Sequence, residues 1–295
     1  MNIAIVGPGA IGSLWAIKLK TAGHNVSLWS TSSEKILALQ LGDQPAQQFS
    51  NRNLSEIKHA DLILVTVKAW QVEQALSPLI AHIHHDTILV LMHNGMGTAE
   101  SLQSLLPKNP LVLATTTHGA FKPSKQSVVH TGKGQTQLGG YNQSGSQCSF
   151  LESVFNHALP DTHWNPKIDH ALWIKLAINC AINPLTAINQ ITNGQLTSQP
   201  YPAVISQVLD EVYLILRAEQ IAISRDELGQ TVDHVIAATA KNHSSMQQDI
   251  FHHRPSEIDF ITGYLLQCAK SHGISLPKNL ELYQAIKQIE QSWNL

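Results

Sequence analysis

Three polar residues within an otherwise apolar stretch are the clearest candidates for chemistry in this sequence. The stretch "WIKLAINCAINPLTAINQITNG" places Lys175, Asn179 and Asn183 at intervals of four residues. Four residues is slightly more than one helical turn, so these side chains are predicted to form one stripe on a helix. The other faces are apolar, which predicts burial, and a buried amine or amide needs a partner. The stripe therefore predicts a polar binding site; the alternative is that Lys175 extends its amine to the surface.

The N-terminal segment carries a glycine pattern that is typical of dinucleotide binding. In "GPGAIG", Gly7, Gly9 and Gly12 follow the order G-x-G-x-x-G between a predicted buried strand and a helix from Ala10 to about Ala22. The first glycine permits a tight turn, the second lets the backbone approach a pyrophosphate, and the third lets helix and strand pack closely. Amide groups at the helix start can bind phosphate. The motif lies in the context that it requires, so it predicts a dinucleotide site; a glycine-rich turn without a ligand is the alternative.

The end of the second predicted strand, "SLWSTSSEK", indicates which dinucleotide is bound. NAD enzymes usually have an acidic residue here, which holds the ribose 2′-hydroxyl. This chain instead has four hydroxyl residues at positions 30–33, followed by Glu34 and Lys35. Hydroxyls and a lysine suit a 2′-phosphate better than a bare ribose, although Glu34 argues in the other direction. The sequence therefore favours NADP over NAD.

Three further strand-like runs end in polar residues. Lys68 follows "LILVTV", Asn94 lies in "HNGMG", and His118 lies in "TTTHGA". Predicted helices at Gln71–His82 and Thr98–Leu105 alternate with these runs, which is typical of an α/β fold with a parallel sheet. Each polar residue alone could serve in a loop or a cap. Three of them at equivalent strand ends favour a cofactor cleft, because ligands of such sheets lie beyond the carboxyl ends of the strands.

The second half of the chain is predicted to be helical. Before it, residues 126–140 are expected to form a hairpin and residues 141–149 a flexible loop. Pro184, directly after Asn183, is expected to end or kink the first helix. The predicted helices are Ala171–Gln190, Val204–Gln220, Asp226–Ala240, Ser256–Ser271 and Leu280–Gln291.

The predicted fold class is therefore α/β, with two domains. Residues 1–165 would form a Rossmann-type dinucleotide-binding domain, and residues 166–295 an all-helical substrate and catalytic domain. Small-molecule sites commonly lie in a cleft between two such domains, and we expect one here.

Six segments together resemble the 2-dehydropantoate 2-reductase (ketopantoate reductase) family. They are "GPGAIGSLW", "VTVKAWQV", "HNGMGT", "TTTHGA", "WIKLAINCAINPLTAI" and "SSMQQDI…SEIDFITGYL". They occur in family order and cover nearly the whole chain, and the long segments are far more specific than the glycine motif. The resemblance implies a Rossmann domain followed by a helical domain like the C-terminal domain of 6-phosphogluconate dehydrogenase. It also implies NADPH-dependent reduction of ketopantoate to (R)-pantoate, a step toward pantothenate (vitamin B5) and coenzyme A.

The same resemblance assigns roles to individual residues. Lys175 in "WIKLA" would be the catalytic acid, Ala120 would contribute backbone near the nicotinamide, and Lys68 would lie by the cofactor phosphates or ribose. The substrate-binding residues would be Asn94, Asn179, Asn183, Asn193 and Ser245. The cofactor-binding residues would be Gly7, Pro8, Gly9, Ala10, Ile11, Gly12, Thr31, Lys68, Asn94, Ala120 and Glu257.

One position departs from the family pattern. Family members often have an arginine at the end of the second strand that binds the 2′-phosphate, whereas this chain has Thr31. Nothing acidic has replaced the arginine to favour NAD, so NADP remains the expected cofactor.

Ketone reduction accounts for the polar stripe. The reaction needs a hydride on carbon, which the cofactor supplies, and a proton on oxygen, which the protein supplies. Lys175 can donate that proton, and its ammonium form stabilises the developing alkoxide. Burial would lower the pKa of Lys175 toward the working pH, while Glu257 nearby would oppose the fall. Asn179 and Asn183 would offer amide groups to the carboxylate, carbonyl and hydroxyl of a substrate shaped like ketopantoate.

Composition excludes several other classes of protein. The chain has 295 residues, of which 43% are apolar and 14% charged, so disorder is not expected. Its net charge is −2, so binding to nucleic acid or to an anionic membrane is not expected. Three distant cysteines, no apparent signal peptide and no unbroken apolar run of about 20 residues favour the cytoplasm. The "HIHH" segment at His82–His85 invites a metal site, but no carboxylate or cysteine follows a known ligand spacing, so no metal is predicted.

Two alternative functions remain open at this point. One is another two-domain NAD(P)-dependent reductase of 2-oxo acids or β-hydroxyacids, which would carry the same glycine motif. The other is a dinucleotide-binding regulator without chemistry, which would not need an acid such as Lys175. The sequence leaves the oligomeric state open between monomer and homodimer.

Overall fold

The computed structural model of the protein describes residues 1–293. The chain divides into two compact units. The first unit contains Met1–His93 and Thr98–Ile168, and the second contains Asn94–Gly97 and the chain from Asp169 onward. The short segment Asn94–Gly97, within "HNGMG", therefore belongs to a different unit from the residues on either side of it.

The first unit combines two sheets with five helices. Its strands are β1 (Asn2–Val6), β2 (Asn25–Trp29), β3 (Ile36–Leu41), β4 (Gln47–Ser50), β5 (Leu62–Val65), β6 (Ile88–Leu91), β7 (Leu111–Thr116), β8 (Gly119–Phe121), β9 (Ser127–Gly132), β10 (Thr136–Gly140) and β11 (Thr162–Trp164). Its helices are α1 (Ala10–Thr21), α2 (Leu54–Lys58), α3 (Val72–Leu76), α4 (Thr98–Leu105) and α5 (Leu151–Ala158).

The larger sheet has seven strands in the order β11-β10-β7-β6-β5-β1-β2. All neighbouring pairs are parallel except β10 with β7. Strands β5 ("LILV") and β6 ("ILVL") are buried along their whole length. Helices cover both faces of the sheet: Leu14 and Phe155 pack on one side, and Ile57, Leu76 and Leu102 on the other. A sheet covered on both faces needs continuous apolar strands, as these sequences provide. The predicted Rossmann-type α/β fold is confirmed.

The register of the central strands brings four strand ends to one edge. Val6 of β1 pairs with Trp29 of β2 and with Val65 of β5, and Val65 pairs in turn with Leu91 of β6. The loops that follow β1, β2 and β5 therefore begin at the same edge of the sheet. The glycine turn, the hydroxyl residues 30–33 and the segment that holds Lys68 lie in these loops.

The hairpin predicted for residues 126–140 is wrong, whereas residues 141–149 contain no strand or α-helix. Residues 126–140 do not form a hairpin, because β9 pairs with β8 and β3 in a four-stranded sheet of order β4-β3-β9-β8, whereas β10 pairs with β7 and β11 in the larger sheet. The expected loop at 141–149 contains a short 3-10 turn, Gly145–Gln147. Strand pairing over such distances is decided by long-range contacts, which the local pattern does not carry.

In the part that the structure describes, the second unit contains helices and 3-10 turns joined by loops, and no strand. Its helices are α6 (Ile168–Asn189), α7 (Tyr201–Ala218), α8 (Arg225–Ala238), α9 (Ser245–Phe251), α10 (Thr262–His272) and α11 (Pro277–Ser292). Their apolar faces form one core that includes Leu176, Val212, Val232 and Leu265.

Three helix predictions need correction. The expected helix Ser256–Ser271 begins only at Thr262, after a 3-10 turn at Ile258–Phe260. The short helix α9 was missed; it starts where Ser244 accepts a hydrogen bond from the backbone of Gln247 at 3.0 Å. The expected helix Gln71–His82 is broken, because α3 ends at Leu76, shortly before Pro78.

Pro184 does not end helix α6. The helix continues to Asn189, although proline cannot donate the hydrogen bond to the carbonyl four residues earlier. Leu185 and Ala187 are buried in the helical core, and Thr186 donates its hydroxyl to the carbonyls of Ile182 and Asn183, both at 3.0 Å. Tertiary packing therefore keeps the helix intact beyond the proline.

Helix α6 is long and apolar enough to cross a membrane by length and composition alone. Helix α6 is therefore an exception to the expectation that no apolar segment is long enough to cross a membrane. However, 61% of its most apolar stretch is buried inside the protein, as in the core helix of a water-soluble enzyme. Lys175 and Asn183 lie on this helix, so the same element that forms the centre of the core also carries the polar stripe.

Candidate active site

The glycine turn between β1 and α1 has the shape that a dinucleotide phosphate requires. Gly7 adopts a φ of +83°, and a methyl group added there would collide with Val67. A methyl group at Gly12 would collide with Thr66 and with the Gly7 carbonyl. At Gly9 the nearest atom would be the Gly7 carbonyl oxygen, 4.0 Å away, so this position faces open space. Packing within the protein requires glycine at positions 7 and 12, whereas the open space at position 9 is available to a bound pyrophosphate.

This asymmetry predicts the effect of Gly9→Ala. Its φ of −68° is open to alanine, so the melting temperature should stay nearly unchanged. The added methyl group occupies space that the cofactor pyrophosphate needs, so the Kd for NADPH should rise at least about tenfold. Gly7→Ala is the matched contrast and should lower the melting temperature. Isothermal titration and thermal denaturation check both variants, and unchanged NADPH affinity in Gly9→Ala would contradict the assignment.

Lys122 stabilises the same turn, although no motif in the sequence indicates this role. Its amine donates to the carbonyl of Pro8 at 2.8 Å and to the hydroxyl of Ser13 at 3.1 Å. The Ser13 hydroxyl also donates to the Pro8 carbonyl, at 2.8 Å. Burial lowers the pKa of Lys122. A lysine more than 100 positions away thus fixes the glycine turn, and only the tertiary structure reveals it.

The loop after β2 is held by a residue that the sequence reasoning also missed. The side chain of Asn51 is 3% exposed, accepts from the backbone and hydroxyl of Ser30 at 3.2 and 3.0 Å, and donates to the carbonyls of Ser32 and Glu34. The hydroxyl proton of Ser30 is therefore already used. Thr31 is exposed at the tip of this loop, where its hydroxyl remains accessible to a ligand.

Two other predicted cofactor residues lie on the first unit. Lys68 is half-buried, three residues beyond β5, and its backbone amide donates to the side chain of Gln71 at 3.3 Å. Ala120 lies in β8, where the pairing with β9 shifts register. His118 is different: its ring contacts the His130 ring nitrogen at 3.1 Å and accepts from the Gly134 amide at 3.0 Å. These contacts give His118 a structural role in joining strands.

Lys175 lies in the second unit on helix α6. The residue is half-buried, and burial of its amine lowers the pKa from 10.5 to about 8, while the Glu257 carboxylate opposes this fall. A lysine with this pKa exchanges a proton near neutral pH, which an exposed lysine does not. The alternative of a lysine that extends into solvent is therefore disfavoured.

Asn179 and Asn183 follow Lys175 on the same face of the helix. Asn183 is 5% exposed and Asn179 is half-buried. Within residues 1–293, neither side-chain amide makes a hydrogen bond to the protein. A buried amide without a protein partner costs free energy unless a ligand or water satisfies it, so these two groups are available to a bound molecule.

Asn94 and Glu257 form a second polar pair in the same unit. The amide nitrogen of Asn94 donates to a carboxylate oxygen of Glu257 at 3.1 Å, and Glu257 is 7% exposed. The backbone of Met96 also donates to the Phe260 carbonyl at 2.9 Å. A methyl group on Gly95, which has a φ of +81°, would collide with Phe260. The glycine at position 95 is therefore needed for close packing, and this packing fixes Asn94 beside Glu257.

Two further predicted substrate residues differ in their surroundings. Asn193 is 7% exposed and donates to the hydroxyl of Thr239 at 2.9 Å, while its own side-chain oxygen is buried with no partner in the described chain. Ser245 is exposed at the first position of α9. Its neighbour Ser244 is buried and shares a 2.7 Å hydrogen bond with Thr186. Asn193 thus offers an unused acceptor, and Ser245 an accessible hydroxyl.

The histidine-rich segment contains one group that could hold a metal ion. Ligand atoms of His84, His85 and Asp86 lie within 4.8 Å of one another, and all three residues are exposed. Exposed groups of this kind are common without an ion, so the grouping alone does not indicate a metal site.

Comparison with known proteins agrees with this architecture. A family model described as "Ketopantoate reductase PanE/ApbA" matches residues 3–143, and one described as "Ketopantoate reductase PanE/ApbA C terminal" matches residues 167–290. The crystal structure of a PanE/ApbA family ketopantoate reductase from Ralstonia eutropha JMP134 is similar with a TM-score of 0.89 and 26% identity, and each chain covers 100% of the other.

Two sequence relatives extend over nearly the whole chain. The 2-dehydropantoate 2-reductase of Vibrio cholerae is 53% identical over 294 residues, which is 100% of this chain and 99% of that protein. The 2-dehydropantoate 2-reductase of Escherichia coli O157:H7 is 38% identical over 298 residues, covering 99% and 96% of the two chains. The chain therefore belongs to the ketopantoate reductase family.

Proposed function

We propose that the protein catalyses the NADPH-dependent reduction of 2-dehydropantoate (ketopantoate) to (R)-pantoate in pantothenate and coenzyme A biosynthesis. The protein is an oxidoreductase of the ketopantoate reductase type. The observation that carries the proposal is Lys175, a half-buried lysine whose amine has a pKa of about 8 because of burial, followed by two asparagines without protein partners in the described chain. This arrangement supplies an acid and amide groups to a small polar substrate. NADP is the cofactor of this enzyme class.

The proposed mechanism assigns one step to each polar group. Bound NADPH supplies the hydride for the carbonyl carbon. As hydride is added, negative charge develops on the carbonyl oxygen, and the ammonium group of Lys175 stabilises that charge. Lys175 Nζ then donates its proton to this oxygen. Glu257 keeps Lys175 protonated, since its carboxylate raises the lysine pKa. Asn179 and Asn183 orient the substrate through hydrogen bonds to its oxygens.

The remaining proposed roles follow the family motif. Asn94, Asn193 and Ser245 would complete the substrate site, with Asn94 also contacting the cofactor. The proposed cofactor residues are Gly7, Pro8, Gly9, Ala10, Ile11, Gly12, Thr31, Lys68, Ala120 and Glu257. We assign nucleotide binding to residues 1–165 and substrate binding with catalysis to residues 166–295. We also propose a cytoplasmic location, which the three free cysteines support.

Spectrophotometric NADPH oxidation over a panel of 2-oxo acids tests the function. We expect ketopantoate to give a clearly higher kcat/KM than ketoisovalerate, oxaloacetate or acetopyruvate. A higher value for another acid would assign the enzyme to a different reductase reaction. Tight NADPH binding without turnover of any acid would instead indicate a regulator.

The pKa of Lys175 predicts the pH dependence of the reaction. Reduction requires the protonated amine, so kcat/KM should be level below pH 8 and fall as pH rises through about 8. Glu257→Gln removes the carboxylate that raises this pKa but keeps an oxygen for the hydrogen bond from Asn94. The break in the pH profile should therefore move to lower pH in this variant. Steady-state kinetics from pH 6 to 10 measure both profiles, and a break that stays in place would rule out this role for Glu257.

A further inference from the structure

The loop after β2 has no arginine of its own to pair with a cofactor 2′-phosphate. A 2′-phosphate in this loop would need a cation, and an arginine near the end of the second strand is the usual solution. Position 31 is threonine, and the hydroxyl proton of Ser30 is used within the loop. The structure therefore needs another source of positive charge if NADP binds here.

The segment that follows β4 runs beside the end of β2. Asn51 forms a parallel bridge with Leu28, and the backbone of Arg52 donates to the Leu28 carbonyl at 3.0 Å. Because the side chain of Asn51 holds the carbonyls of Ser32 and Glu34, the loop and Arg52 form one connected structure. Arg52 is thereby fixed at the strand end that carries the hydroxyl residues.

The conformation of Arg52 is unusual for a side-chain-bearing residue. Its φ is +57°, in the left-handed region, which costs free energy for any residue other than glycine or asparagine. Its guanidinium carbon lies 5.6 Å from the centre of the ring of Trp29, the last residue of β2. Arg52 is exposed and forms no ion pair within residues 1–293. A cation is thus held over an aromatic ring at the end of β2 with its donors available.

We propose that Arg52 binds the 2′-phosphate of NADP and determines the preference for NADP over NAD. It would take the role of an arginine at position 31, with the exposed hydroxyls of Thr31 and Ser33 as further donors. The inference rests on the proposed function only in requiring that the protein binds NADP. Guanidinium groups pair with phosphate through charge-assisted hydrogen bonds, which a ribose hydroxyl cannot match.

Arg52→Met is the decisive variant, because methionine keeps an unbranched side chain at this position while it removes the guanidinium charge and its hydrogen-bond donors. The ratio of kcat/KM for NADPH to that for NADH should fall at least about tenfold. The value for NADH itself should stay within about twofold of the unmutated enzyme. Inhibition by adenosine 2′-monophosphate should weaken in parallel, whereas inhibition by adenosine should not.

Two further variants separate this role from general effects of charge or folding. Lys58→Met removes an exposed cation from helix α2 of the same unit and should change the cofactor ratio less than about threefold. Adding Thr31→Arg to Arg52→Met places a guanidinium at an exposed position of the loop after β2 and should restore most of the NADPH preference.

The outcomes distinguish this inference from the proposed function. Equal losses with NADPH and NADH would indicate a structural role for Arg52 and overturn the inference, as would a ratio unchanged within twofold. Fluorescence titration of NADPH without any ketoacid measures the binding step alone. An unmutated protein that binds NADPH but reduces no ketopantoate would refute the proposed function and leave the inference intact. A protein that binds neither dinucleotide would refute both.

Discussion

Lys175→Ala is expected to reduce kcat for ketopantoate reduction by about 10²–10⁴-fold, the usual contribution of a general acid. The loss should appear equally in kcat and kcat/KM, because the proton is transferred only as the carbonyl is reduced. The Kd for NADPH should stay nearly constant, since the glycine turn belongs to the first unit. Lys241→Ala removes an exposed lysine from the second unit and serves as the matched control. Turnover within about threefold of the unmutated enzyme would exclude Lys175 as the acid.

The stability of the same variant gives an independent check. The pKa of Lys175 falls from 10.5 to about 8 on folding, so between these values the unfolded chain binds more protons than the folded one. The contribution of Lys175 to the free energy of unfolding should therefore rise as pH increases from 8 to 10.5, and it is lowest below pH 8. This difference in the pKa of Lys175 between the unfolded and folded states corresponds to about 3 kcal/mol of unfolding free energy. Lys175→Ala should lack this rise, and its melting temperature at pH 7 should not fall through loss of the charge.

The sequence predicted those parts of the site that depend on local spacing. The glycine turn was predicted from a motif of six residues. The polar stripe on α6 was predicted from three polar residues at intervals of four, which is close to one helical turn. Apolar runs such as "LILV" likewise predicted buried parallel strands. Each of these signals is contained within one element, so no knowledge of the tertiary structure was needed.

Other parts of the site depend on contacts between distant residues. Lys122 reaches Pro8, Asn51 holds the loop after β2, and Arg52 lies over Trp29, yet none of these has a local motif. The pairing of β9 with β3 rather than with β10 is a similar case. Pro184 illustrates the opposite error, because a strong local rule was overridden by burial of the residues that follow it.

Asn183→Ala is expected to raise the KM for ketopantoate by about 5–150-fold. This range corresponds to the roughly 1–3 kcal/mol lost when a polar group is buried without its partner, here a substrate oxygen. Asn179→Ala should act in the same direction, because Asn179 lies one turn away on the same face. The Kd for NADPH should change little in either variant. Asn189→Ala provides the matched control, since Asn189 is an exposed residue of the same helix that bonds to the Leu185 carbonyl.

A purely structural role for the two asparagines makes the opposite forecast. If their amides stabilised the helical core, either replacement would lower the melting temperature and leave KM almost unchanged. Neither amide has a protein partner within residues 1–293, so their removal breaks no hydrogen bond in the folded enzyme. Asn183 as a whole is 5% exposed, but its unpartnered amide is not among the fully buried side-chain atoms, so the melting temperature of Asn183→Ala should change little. Steady-state kinetics beside thermal denaturation separate the two roles, and a lowered melting temperature with an unchanged KM would exclude substrate binding.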